Sequence, residues 1–144
     1  MSVQAILLPV FAQVALTFLL AVWMLQQRAG ALRRGEVRPD DIVLGQPAWP
    51  ARATQVANSF HSQLQLPLLF FVLVILAMMT KKADLPFVVM SWLFVATRIL
   101  HLAVHTGPNR LGPRFAAFAA GFVLLLAMWV IFALRILLAG VEPV

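Results

Sequence analysis

The sequence contains no cysteine and no tyrosine, and only 11% of its residues are charged. Without cysteine there is no disulfide, no cysteine-ligated iron–sulfur cluster and no cysteine nucleophile, so any thiol chemistry has to come from a substrate. Charged residues at less than half their usual share leave too little polar surface to wrap a water-soluble core. Disorder is excluded as well, because it requires low hydrophobicity and high charge. Acidic residues are the scarcest: five Asp plus Glu stand against eleven Lys plus Arg, a formal net charge of +6. In a soluble chain that balance would suggest nucleic acid, but no interleaving of basic residues with stacking aromatics is present. The basic residues sit between apolar runs, where they set topology and meet lipid headgroups. What the chain has in abundance is apolar: 62% of its 144 residues, with a mean hydropathy of +0.94. The expectation is one domain, residues 1–144, of a polytopic membrane protein.

A helix needs about 20 apolar residues to cross the hydrocarbon core. Four stretches qualify, at about 5–25, 57–79, 85–105 and 115–138. The first lacks the basic leader and small-residue cleavage site of a signal peptide, so it reads as a retained span. Backbone groups in lipid must be satisfied internally, and helices of this length do so more readily than a barrel. The predicted fold is therefore all-α, an up-down integral membrane bundle of four helices. The first linker, 26–56, holds Arg28, Arg33, Arg34, Arg38 and Arg52, and the third holds Arg110 and Arg114. Those seven basic residues face two, Lys81 and Lys82, in the second linker. The positive-inside rule then places the first and third linkers in the cytoplasm and both termini outside. Trp23, Trp49 and Trp129 are expected near the interfaces, Arg135 as a snorkelling anchor at the outer end, and the long first linker as a structured flap.

The informative residues are those that lipid should reject. Gln55, Asn58, His61, Ser62 and Gln65 recur at three- and four-residue steps and cover an arc of roughly 120° on one helix face. Beyond Pro67 the helix is wholly apolar, and a kink is expected there because proline cannot donate to the carbonyl of Gln63. Arg98, His101 and His105 fall at i, i+3 and i+7 on the next helix, again on one face. Both stripes lie at the cytoplasmic end of their spans. A mid-span arginine costs about 2.5–3.5 kcal/mol on insertion scales and normally faces a bundle interior or an aqueous cavity. Arg98 thus reads either as a ligand-facing group or as glue hydrogen-bonding Asn58 and Gln65 between helices. His101 and His105, with His61 as a third, make a weak metal signal without carboxylate or cysteine partners, so no metal is expected. Hydrogen bonding to a ligand or to Arg98, or a general-base role, fits these histidines better. Arg110 and Arg114 flank Pro108, Asn109, Gly112 and Pro113, where proline suits the first turn of the fourth helix. Two guanidiniums beside a helix N-terminus suit a carboxylate, phosphate or thiolate; for Arg110 an ordinary positive-inside anchor is the equal alternative.

The run Asn58-Ser-Phe-His-Ser-Gln-Leu-Gln65-Leu-Pro67, then Arg98-Ile-Leu-His101 with His105 following, then Asn109-Arg110 and Arg114-Phe, resembles MAPEG, the membrane-associated proteins in eicosanoid and glutathione metabolism, and is closest to that family's small bacterial branch. The resemblance covers the second to fourth helices. It implies a homotrimer in a bacterial inner membrane, with glutathione as cosubstrate held between subunits near the cytoplasmic face. It implies a transferase or peroxidase acting on lipophilic small molecules that arrive from the lipid. By the same resemblance Arg52, Asn58 and Arg98 bind glutathione and Arg114 stabilises the thiolate, with Arg110 as an alternate; Gln65, His101 and His105 complete the expected binding set. Gln65 stands where family members commonly carry Glu, and His101 and His105 replace third-helix tyrosines of eukaryotic members. A second reading from another class is a non-catalytic membrane protein that binds a lipid, quinone or other anion in the same cavity. Nucleic acid is not expected as a partner on either reading.

Overall fold

The computed structural model describes residues 1–139; residues 140–144 of the domain expected over 1–144, and with them the C-terminus assigned to the outside, lie outside the described residues. Helices α1 (Val3–Arg33), α2 (Ala51–Ser62), α3 (Leu66–Met79), α4 (Leu85–Thr106) and α5 (Leu111–Leu137) follow one another, with a single 3-10 turn at Pro39–Asp41. Helices α2 and α3 run on as one interrupted rod, so the described residues hold four helical units long and apolar enough to cross a membrane. Helix α1 packs on α2 and α4, α4 packs on α5, and α5 closes against α3.

Local chemistry sets the ends. Ser2 caps α1 through a hydrogen bond from the Ala5 N–H at 3.2 Å, and Asp84 caps α4 through the Phe87 N–H at 3.1 Å. Pro67 and Pro86 sit in the first turns of α3 and α4, where a missing N–H costs nothing. The kink expected at Pro67 is a full interruption: α2 ends at Ser62, and Gln65 adopts a non-helical backbone (φ −93°, ψ −96°). Helices α1 and α5 outrun the apolar stretches that announced them. Helix α1 continues through Gln26, Gln27 and Arg28 to Arg33, since these straight-chain residues are good helix formers once clear of the hydrocarbon. The first linker therefore shrinks to residues 34–50. Helix α5 begins at Leu111, because Pro113 is tolerated in its first turn.

The interior divides into two halves. One half is apolar, built from Ile6, Leu73, Phe87, Met128 and a Phe70–Phe94 stack with ring centroids 4.8 Å apart. At the end of this apolar half the Arg135 guanidinium, expected as a snorkelling anchor, pairs with Asp84 at 2.7 Å. The other half buries Gln13, Ser59, Ser62, Gln63, Arg98, His101 and His105. Gln13 of α1 donates to Gln63 at 2.9 Å across the helices. The two expected polar stripes thus meet at one end of the bundle, and the functional residues gather there.

Candidate functional site

Arg52 and Gln55, on the first turns of α2, hold the end of α4. Arg52 donates to the Thr106 carbonyl and to Gln55, while Gln55 donates to the His105 carbonyl at 2.7 Å and the Gly107 carbonyl at 3.3 Å. The last carbonyls of a helix have no partner inside it, so these side chains supply the missing donors, and the cation also suits the negative end of the helix dipole. The Arg52 guanidinium lies 5.1 Å from the Trp23 ring, and Arg28 lies 4.8 Å from Trp49. Two of the three tryptophans expected near the interfaces thus tie α1 to the first linker and to α2 through cation–π contacts.

Arg98 is completely buried. Its Nη2 donates to the Ser62 carbonyl at 3.0 Å and to Ser62 Oγ at 2.7 Å, while Nε and Nη1 have no protein partner. The expectation that Arg98 faces protein is met, but the partners weighed for it, Asn58 and Gln65, are replaced by Ser62. The reason is the end of α2: the helix stops at Ser62, and its last carbonyl and hydroxyl both turn toward α4. Three residues further along α4, His101 bridges two neighbours. Its Nδ1 lies 3.1 Å from the Arg114 carbonyl and its Nε2 lies 3.3 Å from Ser62 Oγ. His105 packs edge-on to His101, with ring centroids 5.4 Å apart and Nδ1 buried without a partner.

In front of this chain of contacts lies a cavity of about 360 Å³ between α2, α4 and α5. Asn58, Ser62, Gln65, His101, His105 and Arg114 supply its polar wall, and Phe115 and Phe118 are among its apolar residues. Of the residues singled out in the sequence, Asn58, Gln65, His101, His105 and Arg114 therefore converge. Arg98 stands behind the wall and touches the cavity only through Ser62. Arg52 serves the end of α4, and Arg110 is an exposed residue at the start of α5. The Arg114 guanidinium is steadied by Asn109 Oδ1 at 2.8 Å. Asn109 has a positive φ of 49°, a conformation its short side chain tolerates, and this turn delivers its amide to Arg114. Among the described residues no acidic side chain lines the cavity. Among the described residues no cluster of three or more His, Cys, Asp or Glu is assembled that could hold a metal ion.

Two features escaped sequence reasoning. Ser62 lay within the polar stripe, but nothing in the spacing distinguished it from its neighbours as the point where Arg98 and His101 meet. A second cavity, about 390 Å³, opens beneath the first linker, with Arg28, Trp49, Asn58 and His61 among its residues. Arg28 lay beyond the apolar run that defined the first span, so hydropathy gave no reason to place it on a helix beside Asn58.

A family model described as the MAPEG family matches residues 6–134 of the 144-residue chain. No curated protein and no solved structure matches it.

Proposed function

This chain belongs to the MAPEG family, and from that premise we propose that it is a glutathione-dependent transferase or peroxidase acting on lipophilic substrates. The single observation that carries the reading is the convergence of Arg114, His101, His105, Asn58 and Gln65 on one cavity at the polar end of the bundle. Its volume of about 360 Å³ falls in the range of small-molecule sites. The absence of lining carboxylates makes the wall a net donor of hydrogen bonds and positive charge. That suits a tripeptide bearing two carboxylates and, in its reactive form, a thiolate.

Arg114 takes the thiolate. It lies in the first turn of α5, where a fixed cation and the helix's unbonded N–H groups favour negative charge together. A thiolate stabilised there attacks an electrophilic carbon or a peroxide oxygen of a substrate entering from the lipid. Asn58 and Gln65 offer amide oxygens to the glutathione ammonium, a weaker reception than a carboxylate would give. A homotrimer would wall the exposed side of the cavity, and the seven-to-two distribution of basic residues supports cytoplasmic first and third linkers. The bacterial inner membrane is the location that goes with this reading.

Calorimetry of the detergent-purified protein tests it. Glutathione should bind with a dissociation constant near millimolar, about −4 kcal/mol, and more tightly to Gln65→Glu. Arg114→Ala should lower turnover at least tenfold, since its interaction strengthens as the thiolate forms. No heat from glutathione in wild type and Gln65→Glu alike would sink the transferase reading. The neutral amide at Gln65 favours the second reading in that event: a non-catalytic protein holding a lipid, quinone or other anion in the same cavity.

A further inference from the structure

The polarity of the hydrogen bonds around His101 follows by elimination. A carbonyl oxygen only accepts, so His101 Nδ1, 3.1 Å from the Arg114 carbonyl, carries the hydrogen. In the neutral ring Nε2 is then the acceptor, and the group facing it at 3.3 Å is the Ser62 hydroxyl. A guanidinium only donates, so Arg98 Nη2, 2.7 Å from Ser62 Oγ, points its hydrogen at that oxygen. Ser62 Oγ therefore accepts from a buried cation and gives its own hydrogen to an imidazole whose far nitrogen is anchored to backbone. Nucleophile, base and orienting acceptor stand in sequence, which is the arrangement that activates a hydroxyl. Loose nucleophile–base distances of this order are usual before substrate binds.

The surroundings point to a substrate class. Ser62 and His101 both line the polar cavity, and the Arg114 cation lines it beside them. Along α5 the lining continues at three- and four-residue steps, from Arg114 and Phe118 to Phe122, Leu125 and Trp129, where an apolar cavity of about 360 Å³ lies against Leu66 and Leu69 of α3. The two cavities thus lie end to end on one face of α5. The apolar one suits a hydrocarbon chain, and a carbonyl at the head of that chain would meet Ser62.

We propose that Ser62 is an acyl-accepting nucleophile with His101 as its base, acting on single-chain lipophilic esters or thioesters. Oγ bonds to the carbonyl carbon as its hydrogen passes to His101 Nε2, and Arg114 faces the oxyanion that forms. The bond from that carbon to the leaving oxygen or sulfur then breaks, and the leaving alcohol or thiol takes the proton from Nε2. Water hydrolyses the acyl-serine by the same route: its proton goes to Nε2, the Oγ–carbon bond breaks, and Oγ regains the hydrogen. The net reaction is ester or thioester plus water to acid plus alcohol or thiol, with no redox change. Arg98 is a positioning residue here, since it touches Ser62 and not the cavity.

The inference does not rest on glutathione binding, and its test needs none. The full-length protein in detergent is incubated with an alkyl fluorophosphonate, which phosphonylates activated serines, and the adduct is located by peptide mass mapping. One adduct at Ser62 is expected in wild type, absent in Ser62→Ala and at least tenfold slower to form in His101→Phe. Hydrolysis of a medium-chain p-nitrophenyl ester should fall in parallel. Wild-type protein that stays unmodified at Ser62, or a labelling rate unchanged in folded His101→Phe, overturns the proposal whatever happens to the other variants. Labelling without glutathione binding overturns only the transferase reading, and glutathione binding without labelling overturns only this one.

Discussion

At Gly121 of α5 the helix pair that carries the site packs too closely to admit a side chain freely. A Cβ built at this position would sit 2.8 Å from Thr97 Oγ1, 3.6 Å from Thr97 Cβ and 4.0 Å from Arg98 Cδ on α4. The first of these is an overlap, and Thr97 is poorly placed to relieve it. It is β-branched and hence restricted at χ1, and its hydroxyl donates to the Phe94 carbonyl at 2.6 Å, a bond that no water would replace here. Gly121→Ala therefore forces the two helices apart or breaks that hydrogen bond. Overpacking of this kind costs about 1–3 kcal/mol, while alanine gains roughly 1 kcal/mol over glycine in helix propensity. The net expectation is a loss of about 0–2 kcal/mol, the difference between two opposing effects. A double-mutant cycle isolates it. Thr97→Ala removes Oγ1 and leaves the new methyl in ordinary contact, so Gly121→Ala should be favourable in that background. The coupling between the two sites, read from unfolding of four proteins in detergent, should reach about 1 kcal/mol or more, against the 0.3–0.5 kcal/mol within which independent sites add. Coupling below that limit would refute the claim that Thr97 limits the approach of α5 to α4 at Gly121.

Asp84 supplies an electrostatic test. Burial alone would raise its pKa, but hydrogen bonds from the Phe87 N–H and Arg135, and the Arg135 charge, outweigh that and hold it below the usual carboxylate range. A depressed folded pKa means the stabilisation is present above the ordinary carboxylate value and is lost as pH falls through the folded one. Asp84→Asn keeps the cap and loses the ion pair, costing about 0.2–1 kcal/mol because both side chains are more than a third exposed; Asp84→Ala should cost roughly 1 kcal/mol more. The wild-type advantage over Asp84→Asn should vanish in acid unfolding midpoints, and an advantage that persists would contradict the assignment. The buried Gln13–Gln63 pair gives a third test. Gln13→Met strands Gln63 at about 1–3 kcal/mol, whereas replacing both by Met should return stability to within about 0.6 kcal/mol of wild type, the average worth of such a bond in a membrane. Equal losses in the single and double variants would show that the pair is not the reason for its own burial.

The four spans were legible because a run of apolar residues has one physical use at this length. Arg98 was legible as a buried residue because its insertion cost forbids lipid. Its partner was not, because periodicity gives the face of a helix and not which neighbour that face meets; Ser62, Asn58 and Gln65 share one stripe, and only the end of α2 at Ser62 selects among them. Nor does periodicity show that Arg52 hydrogen-bonds the end of α4 or that Arg110 stands exposed at the start of α5. Asp84 and Arg135 had nothing to connect them before α4 and α5 were seen to pack, since their pairing spans most of two helices.

The interruption of the second span and the buried arginine are best understood together. A helix that stops inside a membrane leaves carbonyls without donors, each a liability of several kilocalories where no water reaches. An arginine at that depth carries a comparable liability, with five donors to satisfy and, among the described residues, no ion pair to a carboxylate. Here each answers part of the other's need: α2 stops at Ser62, and Arg98 delivers its Nη2 to that residue's carbonyl and hydroxyl. Pro67 keeps the interruption in place, because it has no N–H to return to the carbonyl of Gln63. Removing Arg98 alone would strand the carbonyl, and mending the helix alone would strand the arginine. The position of Ser62 against His101 is therefore fixed by the same pairing that lets both polar groups remain in the bundle.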